Sequence, residues 1–189
     1  LTTSFEGSAL PSWMVEAEGS SAPWFITNDF ATDGIQSIRS GVISHSQFSS
    51  FTVTGLFEES VLAFDYKIES ESCCDFLSIT IDGQPVFERN DRGNSNTTEA
   101  TSIVLNLSEG LHNIEFKYYK DGSVSFGADT VWLDNFALFS PTDLTDTDND
   151  QLPDYWELVN GLNRLDASDA ASDADTDGLS ALEEFNLGT

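Results

Sequence analysis

The chain reads as a mainly β protein: a jelly-roll β-sandwich over residues 1–140, then a small calcium-bound segment, 141–189, with two short helices. Three observations predict this. Apolar residues alternate with period two through most of the first 140 residues, and the Asp residues near the end fall at calcium-loop spacing. Aromatics and charge divide the chain at the same place. Of the 14 Phe, 13 precede residue 141, as do three of the four Trp, whereas the remainder holds 13 of the 33 acids against one base, Arg164.

Leu62, Phe64, Tyr66 and Ile68 fall on one strand face, as do Leu77, Ile79 and Ile81. Asp82-Gly83 supplies a tight hairpin turn before Pro85-Val86-Phe87. Ile103, Leu105 and Leu107 repeat the alternation, and so do Ile114, Phe116 and Tyr118, with Gly110 and Lys120-Asp121-Gly122 as punctuation. Many short antiparallel strands with these aromatics predict two sheets packed face to face. Ser140-Pro141-Thr142 ends the strand pattern. Beyond it, Tyr155–Val159 and Leu179–Phe185 put apolar residues at helical spacing, each directly after an Asp-rich run.

Composition excludes several function classes. A formal charge of −26 would be repelled by a nucleic-acid backbone or an anionic membrane. With 39% hydrophobic and 12% aromatic residues, the chain is too apolar for a disordered acidic tail. No run approaches the roughly 18 apolar residues of a membrane-spanning helix, so no membrane insertion is expected. The chain starts at Leu1 without a basic-then-apolar leader, and the expectation is an exported segment whose signal has been removed.

The Asp-rich runs carry the strongest chemistry. Asp146, Asp148, Asp150, Leu152, Asp154 and Glu157 occupy positions one, three, five, seven, nine and twelve of an EF-hand-like loop. A cation of calcium's size takes six to eight oxygens, and this spacing converges alternate side chains with one backbone carbonyl, from Leu152, and a bidentate Glu. The pattern recurs 27 residues later in Asp173, Asp175, Asp177, Leu179 and Glu184, with Gly178 at the sharply turned sixth position. Gln151 stands at that position in the first loop, which should strain the turn. Ala181, at position nine of the second, offers no side-chain oxygen, so a water is expected there. Magnesium fits less well, because it keeps waters and favours few carboxylates. Calcium binding is expected to be coupled to folding, since it offsets repulsion in a segment of formal charge −12.

Asp146 to Glu157, Gly161-Leu162-Asn163, Asp166 to Asp169 and Asp173 to Glu184 together resemble the thrombospondin type 3 calcium repeats of secreted bacterial proteins. That resemblance implies that Asp166 and Asp169 either join the calcium shell or serve as helix caps and turn residues. Ser4-Phe5-Glu6-Gly7, Ser37–Gly41, Asp75–Gly83 and Gly127 to Phe136 are similar to MAM-like and carbohydrate-binding sandwich modules. In carbohydrate-binding relatives a Glu of the first strand and an Asp of the last share a structural calcium, and Glu6 and Asp134 match those positions.

Exposed rings that stack on pyranose faces are the expected basis of sugar recognition. Trp13, Trp24, Tyr119 and Trp132 lie near turn signals, and Trp24, after the polar Gly19–Pro23 loop, is the expected ligand-binding platform. Cys73 and Cys74 are adjacent, so either they form a vicinal disulfide or they are two free thiols. Asn96-Thr97-Thr98 and Asn106-Leu107-Ser108 match the glycosylation sequon, without relevance to a bacterial protein.

No nucleophile elbow, phosphate-binding loop, dinucleotide fingerprint or His-Glu-x-x-His motif occurs, and His45 and His112 lack a catalytic context, so no enzyme activity is expected. The expected function is that of a non-catalytic, extracellular or cell-surface accessory region. Its sandwich binds a polysaccharide or glycan and its tail is a calcium-rigidified spacer adjoining other domains of a larger secreted protein. The alternatives are a protein-interaction or adhesion module and a purely structural linker.

Overall fold

A computed structural model describes residues 2–90 and 100–188. The sequon at Asn96 lies outside the described residues. Among the described residues, eleven strands form two antiparallel sheets. The first sheet contains β1 (Thr2–Thr3), β3 (Phe25–Thr27), β4 (Ser37–Arg39), β6 (Ser60–Glu69), β9 (Thr101–Leu107) and β11 (Thr130–Phe139), in the order β3-β4-β11-β6-β9 with β1 also on β11. The second contains β2 (Val15–Glu16), β5 (Phe48–Phe57), β7 (Phe76–Ile81), β8 (Gln84–Arg89) and β10 (Gly110–Tyr119), in the order β2-β5-β10-β7-β8. From β4 to β7, and again from β8 to β11, the chain changes sheet at each connection, so the molecule is a β-sandwich.

The alternating residues meet between the sheets. Leu62, Phe64, Leu77, Ile79, Ile114, Phe116, Tyr118, Val131 and Leu133 are buried in one cluster, with Phe51 and Phe116 stacked at 4.9 Å. Asp82 and Gly83 both take left-handed backbone angles, as the tight turn between β7 and β8 requires.

A bulge shapes β11. Asn135 sits at φ 51°, and the pairing with β6 shifts register between Asp134 and Ala137. Leu133 and Phe136, three residues apart, therefore both face the core, while Ala137 and Phe139 face outward beside Val61 and Ala63.

Onto this outward apolar patch the C-terminal segment docks. Its helices are α1 (Asp154–Val159) and α2 (Ala181–Leu187), joined through a 3₁₀ turn at Asp169–Ala171. Tyr155 and Leu158 of α1 cover the patch, and the Arg164 guanidinium lies 5.5 Å over the Phe139 ring. Leu152, Ala170 and Ala181 are the centre of a second small core, packed by Trp156, Leu162, Leu182 and Phe185. Ser180 and Glu183 form a capping box on α2, and Gly188 closes it in a left-handed conformation.

Candidate functional site

The first Asp-rich loop folds around its own carboxylates. Asp146 accepts from the backbone N–H groups of Asn149 and Gln151 at 2.8 and 3.0 Å, and Asp150 accepts from that of Leu152 at 2.8 Å. These bonds aim the remaining oxygens inward. The carboxylates of Asp146, Asp148 and Asp150 come within 4.8 Å of one another, as do those of Asp150, Glu157 and Asp169. One oxygen each of Asp148, Asp150 and Asp169, and both of Glu157, are buried without a hydrogen-bond donor. Glu157 is fully buried, and burial together with the charges of Asp148, Asp150, Asp154 and Asp169 pushes its pKa up to about 8. Orphaned carboxylate oxygens from four residues, in two groups that share Asp150, could hold a hard cation of calcium's size.

Asp154 departs from the expected ligand role. One of its oxygens accepts from the Thr147 N–H at 2.8 Å and the other from the Thr147 hydroxyl at 2.6 Å, with Arg164 at 3.9 Å. Its carboxylate braces the loop from behind, and Asp169 stands in the oxygen cluster instead. Asp169 also accepts from the Asn163 N–H through its other oxygen, at 2.8 Å. Asp166 lies outside the cluster and accepts from the hydroxyl and N–H of Ser168. The Leu152 side chain is buried in the segment's core, which leaves only its carbonyl for a cation.

The second loop repeats the backbone of the first. Asn149 and Gln151 have φ 65° and 84°, and the corresponding Thr176 and Gly178 have 66° and 98°. Asp173, Asp175 and Asp177 converge here too, but are exposed. Leu179 follows them, half-buried, its N–H bonded to Asp177. Burial, followed by the charges of Asp175, Asp177 and Asp173, raises the pKa of Glu184.

Glu6 and Asp134 hold one loop from two positions. Glu6 accepts from the N–H groups of Ile35 and Gln36 at 2.7 and 2.8 Å, and Asp134 from those of Thr32 and Asp33 at 2.7 and 3.1 Å. Neither belongs to a group of three or more converging metal-ligand side chains among the described residues.

Trp24 is not a platform. It is 3% exposed and meets Phe51 edge-on at 5.2 Å, because the loop before it folds back onto β5 through the Ser49 hydroxyl and the Ala22 carbonyl. Trp132 is buried under Phe30, with Lys67 and Arg39 against its ring. A group of half-buried aromatic rings lies on the outer face of the second sheet. There Phe48, Ser78, Thr80, Glu115, Lys117 and Tyr119 line a groove of about 450 Å³. Tyr119 stacks on Phe76 at 5.5 Å and donates to Glu88 at 3.1 Å, and Lys117 lies 4.1 Å from the centre of the Phe48 ring. Composition alone hid this groove, because its residues come from three strands.

Beside the groove, Lys120 is fully buried between Asp75, at 2.9 Å, and Asp129. The adjacent Cys73 and Cys74 are joined as a disulfide. His112 holds Asp82 through Nδ1 at 2.7 Å, and its Nε2 lies 3.0 Å from the Ser108 carbonyl and 3.2 Å from the Ser108 hydroxyl. The carbonyl can only accept, so Nε2 carries a proton and has no lone pair with which to activate the hydroxyl.

No family model and no curated protein matches the chain. Among solved structures, it is similar to the K1 and K3 cleaved adhesin domains of Lys-gingipain from Porphyromonas gingivalis W83. The K1 match has 12% identity and a TM-score of 0.54, covering 74% of this chain and 97% of that one. The K3 match has 11% identity and a TM-score of 0.53, covering 74% and 98%. The secreted serine protease VesC from Vibrio cholerae matches over 69% of this chain at 13% identity and a TM-score of 0.52, and the chain spans only 27% of that protein's length. At these identities the likeness is one of fold: the chain has a β-sandwich of the kind found in bacterial adhesin domains.

Proposed function

We propose that the chain is a non-catalytic, calcium-stabilised module of a secreted bacterial protein, whose sandwich binds polysaccharide or glycan in the groove beside Phe48 and Tyr119. The calcium reading rests on the fully buried Glu157 carboxylate, which has no donor for either oxygen among the described residues and converges with those of Asp150 and Asp169. Asp146, Asp148, Asp150, Glu157, Asp169 and the Leu152 carbonyl would hold the first ion. Asp173, Asp175, Asp177, the Leu179 carbonyl and Glu184 would hold the second. The ion's charge offsets the mutual repulsion of these groups. The segment then acts as a brace docked on the sandwich rather than as an extended spacer, since Tyr155 and Leu158 pack on β6 and β11.

The glycan reading is supported by a pattern suited to sugar hydroxyls and ring faces, in which Phe48 and Tyr119 alternate with Ser78, Thr80, Glu115 and Lys117. Affinity electrophoresis against neutral and acidic polysaccharides tests it. Retardation of the wild type that is lost in Tyr119→Ala and Phe48→Ala, with melting preserved, supports the groove. Retardation equal in all three chains rejects it. Adhesion to a protein partner is the second reading, favoured by the whole-domain likeness to the Lys-gingipain adhesin domains.

A further inference from the structure

The edge of the second sheet is unfinished beside β2. That strand pairs with β5 only at Val15–Thr52 and Glu16–Phe51, whereas β5 runs on to Phe57. The Ser50 N–H donates to the Ser20 hydroxyl and its carbonyl accepts from the Ala17 N–H, so both groups point away from β10. By the two-residue period of an antiparallel strand, the N–H and C=O of Thr54 and Leu56 point the same way. The partner strand agrees: Asn113, opposite Thr54, donates its N–H to the Asp82 carboxylate and accepts from the Asp82 N–H at its carbonyl, on the far side from β5. No strand among the described residues pairs with β5 beyond Thr52 on this edge.

The open edge is also a groove. Residues 53–58 line about 490 Å³ together with Trp13, Leu138, Ser140 and Asp143. Leu56 and Leu111, directly opposite each other on β5 and β10, are 83% and 71% exposed on the outer face. Exposed apolar pairs on an unpaired edge are what proteins ordinarily avoid, by placing lysine, proline or a covering loop there. Among the described residues, Glu58 and Asp143 are the charged residues of the groove, and none that lines it is basic.

We infer that the β5 edge from Val53 to Glu58 is a strand-addition site for an extended, basic segment of a protein partner. Such a segment continues the line of β2 and forms backbone hydrogen bonds with Thr54 and Leu56. Alternate side chains fall toward the Leu56–Leu111 pair and toward the crevice beneath Trp13 and Leu138. Its Lys or Arg residues meet Glu58 and Asp143. A second copy is the wrong occupant, because two chains of formal charge −26 repel each other.

The test uses the intact chain with calcium at physiological salt, and a blocked eight-residue peptide alternating valine and lysine. Amide hydrogen exchange at Thr54 and Leu56 should slow about tenfold or more at saturation. The same peptide N-methylated at alternate residues keeps its charge but cannot pair, and should lose at least about tenfold in affinity. Thr54→Pro removes an outward N–H and an exposed hydroxyl bond to Asn113, which Thr54→Val removes alone, so Thr54→Pro should abolish binding while Thr54→Val keeps it, with melting equal in the two; Leu56→Lys should weaken binding without a backbone change. Four results overturn the inference: equal binding of the N-methylated peptide, protection confined to residues 141–188, equal binding of a valine–glutamate peptide, or unchanged binding in both Thr54→Pro and Leu56→Lys. Concentration-dependent protection of Thr54 and Leu56 without peptide would identify a second copy as occupant, and overturn it equally.

Discussion

Asp154 and Glu157 lie one turn apart on α1, both fully buried, yet their carboxylates do opposite work. Both oxygens of Asp154 are taken by Thr147, and neither oxygen of Glu157 has a donor. One acid shapes the loop, and the other keeps two oxygens for the proposed calcium.

The pH response of the metal-free chain follows from Glu157. Its carboxyl is pushed from 4.5 up to about 8 on folding, so it contributes stability below about pH 4.5 that is lost as pH rises through 8. In a chelator, the C-terminal segment should melt lower at pH 8 than at pH 5. Calcium should raise the melting point most at the higher pH, and Glu157→Gln should flatten the difference. Melting curves followed by the near-UV signal of Trp156 check this, and equal curves with and without chelator at both pH values would refute the calcium reading.

Gln151 holds a left-handed backbone conformation at the position where the second loop has Gly178. Left-handed angles cost a side-chain-bearing residue about 1 kcal/mol. Gln151→Gly should therefore raise the segment's stability by about that amount, with a matching gain in calcium affinity by titration calorimetry.

Leu158 sits next to Glu157 in sequence and packs on Val61, Ala63, Ala137 and Phe139. Leu158→Ala should cost about 1–2 kcal/mol, less than a fully buried leucine because the side chain is only half-buried. Since α1 carries both contacts, the same variant should weaken calcium binding although it removes no ligand. An unchanged calorimetric titration would show the two contacts to be independent.

His112 is held above its ordinary pKa first by the hydrogen bond to Asp82, while Asp82 is held below its own, first by the Asn113 N–H and then by His112. The pair's contribution is therefore present at pH values between the two groups. It is lost on the acid side as Asp82 protonates and on the alkaline side as His112 deprotonates above 6.5. An NMR titration of the His112 ring should move toward 6.5 in Asp82→Asn.

The strands were legible because a half-buried strand writes its burial into a two-residue period, as Ile114, Phe116 and Tyr118 show. The acidic convergence was legible because loop ligands follow a local spacing. Trp24 was not, since a polar loop before an aromatic does not report whether that loop folds back, and here Ser49 pulls it onto β5. Nor was the release of Asp154, which depends on the Thr147 side chain reaching it across the loop. The docking of α1 and the open β5 edge were also invisible, because each depends on residues brought together from distant parts of the chain.

The bulge at Asn135 has a consequence for how the molecule is assembled. If the chain ran through Asn135 in regular alternation, with no bulge to absorb the extra residue, the last part of β11 would turn inside out, sending Phe136 to solvent and Ala137 into the interior. The left-handed turn at Asn135 thus keeps Ala137 and Phe139 on the exterior, as the seat on which Tyr155 and Leu158 of the C-terminal segment rest.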